Sequence, residues 1–318
     1  MKGRDIRSVL IIGAAGGLAN IVVGFLHRQY PEAQIYGVDN REKPDRSHTR
    51  KMNYRRIRYS RNDFEKLFRE VSFDAVFHLG RVSHSRFLPK GGPDRYDFNI
   101  LETGRILDLC LRFSVKKVVL LSTFHVYGAC SDNPVFLTEE APLRASIGHP
   151  DLRDVVEMDQ IADVWMWKNQ KEIEAVLLRP CNIIGSQIQN TMSSYLLSHM
   201  APLPMDFNPT FQFIHESDMA RVLVRSLEEL PVGVYNVAPT DTVPVRSARK
   251  YMGIENSPVF PVILLDPVTR IFSGAWKFPS YLMDYLKFSC VIANDRIREY
   301  LGDDFCRYST RQALENLE

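Results

Sequence analysis

No stretch of this 318-residue chain approaches the ~18 uninterrupted apolar residues that a membrane-spanning helix needs. The start, Met1–Arg7, is charged and runs straight into a strand pattern, so neither a spanning helix nor a secretory leader is expected. Cysteine is scarce. The five present (Cys110, Cys130, Cys181, Cys290 and Cys306) form no C-x-x-C pair and do not cluster with histidine. That excludes a disulfide framework and a metal centre, and it fits reduced thiols in the cytoplasm. Charge of one sign is missing too: the net charge is +2, so nothing calls for nucleic acid or an anionic membrane as partner. There are no internal repeats and no low-complexity tracts. A 45% hydrophobic and 25% charged composition remains, that of an ordinary globular protein. Its length suits one large α/β domain, or a domain with a smaller lobe.

The densest information lies in Ser8–Asn20. Val9–Ile12 is short and wholly apolar, the pattern of a buried strand. Gly13 and Gly16 follow, then Ala19, and Ile21, Val22, Phe25 and Leu26 recur at helical spacing. In a strand–turn–helix of this kind the first glycine makes the turn and the second admits a pyrophosphate close to the backbone. A small third residue lets helix and strand pack. The helix N-terminus then offers unpaired N–H groups to phosphate. Asp39 ends a second apolar strand, Gln34–Val38, about 20 residues past the turn, where an acid binds adenosine ribose hydroxyls and disfavours a 2′-phosphate. NAD is therefore expected over NADP. Residues 41–61 carry nine basic side chains against Glu42 and Asp45, either a solvated face or a site for a 2′-phosphate.

Further along, Asp63–Val71 reads as a short helix capped by Asp63, and Asp74–Gly80 as a strand into a small-residue turn. A helix over Asp97–Phe113, a strand over Val115–Ser122, a helix over Asp159–Asn169 and a strand over Ala175–Leu178 continue the alternation. Strands apolar on both faces, separated by helices, form a parallel sheet covered on both sides. Beyond Arg179 the pattern loosens into helices at Met192–Met200 and Ser217–Leu227, a strand at Val234–Val237 and a proline-dotted region up to Pro279.

These motifs resemble those of the extended short-chain dehydrogenase/reductases, in particular the NAD-dependent epimerase/dehydratase family. Gly13-x-x-Gly16-x-x-Ala19 is similar to the family's glycine turn, and Asp74-Ala-Val-Phe-His78-Leu-Gly80 to its D-x-V-x-H-x-A/G strand. Asn99 with Thr103-Gly104, Ser122-Thr123-Phe-His125-Val-Tyr127-Gly128 and Arg179-Pro180-Cys-Asn182-Ile-Ile-Gly185 follow in the family's order. So do Phe213-Ile-His215-Glu-Ser-Asp218, similar to F-V-H-V-D-D, then Gly233-Val-Tyr-Asn236-Val and the tail helix Asn294–Gly302. The resemblance implies an α/β fold: a Rossmann-type doubly wound parallel sheet over residues 1–180, with a smaller C-terminal substrate lobe over residues 181–318, interleaved at the margins. It puts NAD on Gly13, Ala15, Gly16, Gly17, Leu18, Asp39, Asn40, Leu79, Gly80, Asn99, Ser122 and Pro180. It also implies a homodimer built on the helices that flank the active site.

The family's chemistry rests on a Ser or Thr, here Thr123, and on a Tyr-x-x-x-Lys pair. No Tyr-x-x-x-Lys occurs in this chain, and the family spacing from Arg179 lands on Arg153 and Glu157. Arginine stays protonated and is no general base. Glu157 is one candidate base, with Asp154 and Asp159 beside it, and His125, two residues past Thr123, is another. Each also has a plainer reading, as a charged helix start or as a buried residue at a strand end. Near the substrate, Asn182 is retained, but Phe211 stands where nucleotide-sugar members carry a phosphate-binding arginine. Val259–Leu265, Ile271, Phe272, Trp276, Phe278 and Tyr281–Leu286 are apolar enough for lobe core, a dimer interface or a pocket for an apolar group. Two functions stay open: an atypical NAD-dependent oxidoreductase or epimerase acting on a hydroxyl-bearing small molecule, and a non-catalytic NAD-binding sensor or scaffold.

Overall fold

The computed structural model describes residues 5–58, 60–80, 97–188, 190–198, 201–254, 257–261, 263–264 and 281–317. Seven parallel strands form the central sheet: β1 (Ser8–Ile12), β2 (Gln34–Asp39), β3 (Asn53–Arg56), β4 (Ala75–His78), β5 (Lys117–Leu121), β6 (Glu174–Pro180) and, after several short strands, β11 (Gly233–Val237). Their order is β11-β6-β5-β4-β1-β2-β3. The order reverses at β1, between β2 and β4, and in such sheets the crevice at the C-terminal strand ends is where ligands bind.

Alternation along the strands divides the apolar residues between two cores. Leu10, Ile12, Val76, Val118, Leu120 and Leu177 face α2 (Arg61–Glu70), α3 (Glu102–Arg112) and the later part of α5 (Arg153–Asn169). Val9, Ile11, Phe77, Val119, Val176 and Leu178 face α1 (Gly17–Gln29), α7 (Glu216–Arg225) and the C-terminal elements. Burial on both faces is why these strands read as unbroken apolar runs.

β11 belongs to the central sheet although it lies beyond residue 180, so the second half of the chain returns to the first. Between them, β7 (Asn182–Ile184) pairs with β10 (Phe213–His215) in parallel. Two expected boundaries move. α2 is capped by Ser60, whose Oγ accepts the Asp63 N–H at 3.3 Å, rather than by Asp63. α5 starts at Arg153, six residues before the expected start, led in by a 3-10 turn at Pro150–Leu152. Ile271, Phe272, Trp276 and Phe278 lie outside the described residues, whereas Tyr281, Leu282, Met283 and Tyr285 are buried in the larger core.

Candidate active site

The glycine turn is fastened to both neighbouring strands. Gly13 N and Ala14 N donate to Val38 O at 3.0 and 3.1 Å, and Leu79 N donates to Ile12 O at 3.0 Å. Gly13 has φ +85°, and a Cβ there would lie 2.6 Å from both Gly80 Cα and Gly80 N. Only glycine allows that turn and that approach. Gly16 is extended before α1, and no side chain caps the helix, whose first turn carries no acid. Asp39 is buried and accepts the Ala15 N–H at 3.0 Å, the Arg41 N–H at 3.0 Å and the Arg41 guanidinium at 2.9 and 2.8 Å. Burial alone would raise its pKa, but the hydrogen bonds and charge of Arg41, with the two amides, outweigh this and hold it below the usual carboxylate range. In the basic stretch that follows, Arg50 pairs with Asp45, Arg55 with Glu70 and Arg56 with Glu42, all on the exposed face. Exposed Asn40 accepts the Arg56 Nε–H through its carbonyl at 3.1 Å.

A second set of contacts clasps α1. A Cβ on Gly17 would sit 2.0 Å from Gln187 O, so the turn after β7 lies directly against the helix start. Buried Glu216 holds that turn, accepting the Gln187 N–H at 2.9 Å and the Ser186 hydroxyl at 3.3 Å. Asn20 donates to Gln187 Oε1 at 2.7 Å and accepts the His48 N–H at 3.2 Å. Of these residues only Gly17 was among the sequence candidates. The available signal was Glu216, a carboxylate where the family segment has valine.

At the end of β4, His78 Nε2 lies 3.3 Å from Thr103 Oγ1. Complete burial pushes its pKa down from 6.5 to about 4, so the ring is neutral in the fold. Its contribution to stability is full above pH 6.5 and is lost as the pH falls from there through about 4, because the unfolded chain binds the proton more readily. The loss is on the order of 3 kcal/mol. His78→Asn is expected to flatten the denaturation midpoint against pH over that interval. An unchanged slope would refute this.

Buried Asn99 donates to Asp154 Oδ2 at 2.5 Å, joining the start of α5 to the turn before α3. Ser122 donates to Asp159 Oδ2 at 2.5 Å, and Arg179 grips Asp159 with Nε at 3.0 Å and Nη2 at 2.6 Å. Arg179 Nη1 also donates to the Tyr127 hydroxyl at 3.0 Å, which donates to Asn236 Oδ1 at 2.7 Å. Burial, beyond what Arg179 offsets, raises the Tyr127 pKa to about 12. This phenol therefore has a structural role.

Thr123 follows β5 and accepts the His125 N–H at 3.4 Å, starting a 3-10 turn over Phe124–Tyr127. The His125 ring lies 4.3 Å from Phe124, 4.8 Å from Tyr285 and 5.6 Å from Tyr281, centroid to centroid. Arg153 and Glu157 are brought together with each other, as an i,i+4 ion pair at 2.6 Å on the more exposed side of α5. Asn182 is buried and donates to Gln212 O at 3.4 Å. Phe211 is buried and stacks on Phe213 at 5.9 Å, so it is core rather than an anion contact. Pro180 closes β6 opposite Val237.

The sequence model of the NAD dependent epimerase/dehydratase family matches residues 9–238. The chain belongs to this family. An uncharacterized protein of Mycobacterium tuberculosis is 26% identical over 248 residues, covering 76% of this chain and 65% of that protein. UDP-glucose 4-epimerase 2 of Arabidopsis thaliana is 27% identical over 191 residues, 57% of this chain and 53% of that enzyme. The chain thus spans less than two thirds of the length of either relative. Among solved structures, dTDP-glucose 4,6-dehydratase from Bacillus anthracis, in complex with NAD, superposes with a TM-score of 0.74 at 16% identity, covering 98% of this chain and 95% of that one. UDP-glucose 4-epimerase from Thermotoga maritima, with UDP-glucose, gives 0.73 at 16% identity, covering 98% and 97%. At such identities the likeness establishes the fold. NAD is the cofactor of this epimerase/dehydratase family, and the close Gly13–Gly80 approach beside an anionic Asp39 suits a dinucleotide. Among the described residues no group of His, Cys, Asp and Glu could hold a metal ion, and no helix is long and apolar enough to cross a membrane.

Proposed function

We propose that the protein is an NAD-dependent enzyme that oxidises and re-reduces, or oxidises and dehydrates, a sugar carried on a nucleotide. The observation that supports this reading is that Thr123 and His125 follow β5 in the same parallel sheet whose β1 leads into the Gly13 turn. The amides at the start of α1 would hold the pyrophosphate, Asp39 the adenosine ribose, and Leu79, Gly80, Asn99 and Ser122 the nicotinamide end. Bound NAD supplies a hydride acceptor that can return the hydride. Thr123 Oγ1 orients the substrate hydroxyl and His125 exchanges its proton. His125 is preferred to Glu157 because the Glu157 carboxylate is already committed to Arg153. UDP-glucose and dTDP-glucose head the substrate candidates, because named relatives act on these sugars. With Phe211 in the core, the diphosphate contacts must differ from those of an arginine at that position.

Incubation with NAD+ and UDP-glucose, UDP-galactose or dTDP-glucose, followed by chromatography and mass spectrometry, tests the proposal. An epimer, or a product lighter by one water, supports it. Unchanged sugars throughout would favour the sensor reading, which the missing Tyr-x-x-x-Lys pair also supports.

The proposal includes cytoplasmic residence, cofactor binding by residues 1–180, substrate binding by residues 181–318, and a homodimer. Ile161, Val164 and Trp167 form an exposed apolar stripe along α5, with Val164 69% exposed, and such a stripe is suited to a partner copy. Val164→Glu is expected to weaken association about 100-fold by placing a charge in that contact. Sedimentation at micromolar concentration would then report monomer in place of dimer.

A further inference from the structure

Beside His125, which stands in for the missing tyrosine in the reading above, the structure gathers further titratable side chains from an unexpected part of the chain. His149 lies one short turn before Arg153, where the family spacing expects the tyrosine, and its Nε2 is 2.7 Å from Asp284 Oδ2. Asp284 belongs to the short C-terminal helix Leu282–Tyr285, 135 residues further on. Tyr281, at the start of the same helix, has its ring edge-on to both histidines: 6.3 Å from His149 and 5.6 Å from His125. Tyr285 completes the arrangement, donating its hydroxyl to His125 O at 3.3 Å. The row Thr123, His125, Tyr281, His149 and Asp284 therefore runs from the end of β5 to the C-terminal helix. His149 and Asp284 are partly exposed, with side chains at 22% and 34%, so the pair is open to solvent.

Resting on the function proposed above, we infer that His149, oriented by Asp284, is the second proton-transfer group of the active site, and that Tyr281 sets the spacing between the two imidazoles. Imidazole is the side chain best matched to proton exchange near neutrality, and a carboxylate on one ring nitrogen fixes the tautomer offered at the other. In the oxidation step the hydroxyl proton would go to His149 or His125 while the hydride on the same carbon goes to NAD+, and on re-reduction both would return. The net proton count of an epimerisation is zero. Asp284 also has Lys287 Nζ 3.6 Å from its other carboxylate oxygen, and it acts as a positioning residue for His149.

The test uses the full chain with NAD+ and the nucleotide sugar that turns over. His149→Asn is expected to lower kcat by ~100-fold or more, as loss of a general acid–base does, with NAD+ affinity and thermal midpoint kept. Asp284→Asn should lower kcat less, about 10-fold, with little change in KM. In a separate readout, diethyl pyrocarbonate labelling of His149, mapped by mass spectrometry, should fall when NAD+ and the nucleotide sugar are present together, and not with NAD+ alone. Turnover of His149→Asn within ~3-fold of the parent, with His149 of the parent still labelled when both ligands are present, overturns this inference and leaves the proposed function standing. Failure of the parent protein to turn over any of the sugars overturns the proposed function, and the proton-transfer role of His149 with it.

Discussion

Asp159→Ala is expected to destabilise the protein by about 3–5 kcal/mol, read as a lower denaturant midpoint at unchanged slope. Asp159 is fully buried and Arg179 nearly so, at side-chain exposures of 0% and 3%. Taking both charges out of water is costly, and their two-point contact offsets that cost only while both partners remain. Truncating Asp159 strands the guanidinium in the core and also removes the acceptor of the Ser122 hydroxyl. Tyr127 cannot compensate, because burial, beyond what Arg179 offsets, pushes its pKa up to about 12 and keeps it neutral. The double replacement Asp159→Leu with Arg179→Met should recover much of the loss, since a buried pair exchanged for apolar groups of similar volume is often near neutral. A single-mutant cost below about 1 kcal/mol would mean that water reaches the pair.

Gly13→Ala is expected to weaken NAD+ binding at least 100-fold, about 2.7 kcal/mol. The positive φ of Gly13 disfavours a side chain, and the added Cβ would meet Gly80 backbone atoms at 2.6 Å. Backbone on both sides leaves no flexible group to yield, so β1 and β4 must part at the turn that the proposed cofactor site is built on. Gly104→Ala is the control. A Cβ there has nothing within 4 Å and the position is interior to α3, so that variant should gain up to ~1 kcal/mol in stability. Calorimetric titration of both variants with NAD+ distinguishes a steric effect at the turn from a general intolerance of added methyl groups.

The glycine turn and its flanking strand and helix were legible because their signals are local. A buried strand, two glycines and an amphipathic helix lie within twenty residues, and each needs only its neighbours to be understood. The alternation of apolar strands with helices likewise gave the parallel sheet. Boundaries were less legible where a turn residue outside the pattern decides them. Ser60 caps α2 three residues before the acid that looked like a cap, and Pro150 starts a 3-10 turn that carries α5 back to Arg153. The candidate catalytic residues were legible only through the missing Tyr-x-x-x-Lys pair. Whether Glu157 faces the crevice depends on the rotation of α5, which the structure resolves by pairing it with Arg153 while Asp154 turns inward to Asn99. His149 and Asp284 meet across 135 residues, and no local spacing could have joined them.

Nicotinamide chemistry without a Tyr-x-x-x-Lys pair is what the proposed function requires of this chain. Its most direct test mixes the NAD+-loaded protein rapidly with excess UDP-glucose or dTDP-glucose and follows the absorbance of reduced nicotinamide. A rise is expected on adding sugar that is lost in Thr123→Ala and strongly reduced in His125→Gln, with NAD+ affinity unchanged in both. Tight NAD+ binding with a flat trace for every nucleotide sugar would contradict it, and would assign the fold to sensing the dinucleotide.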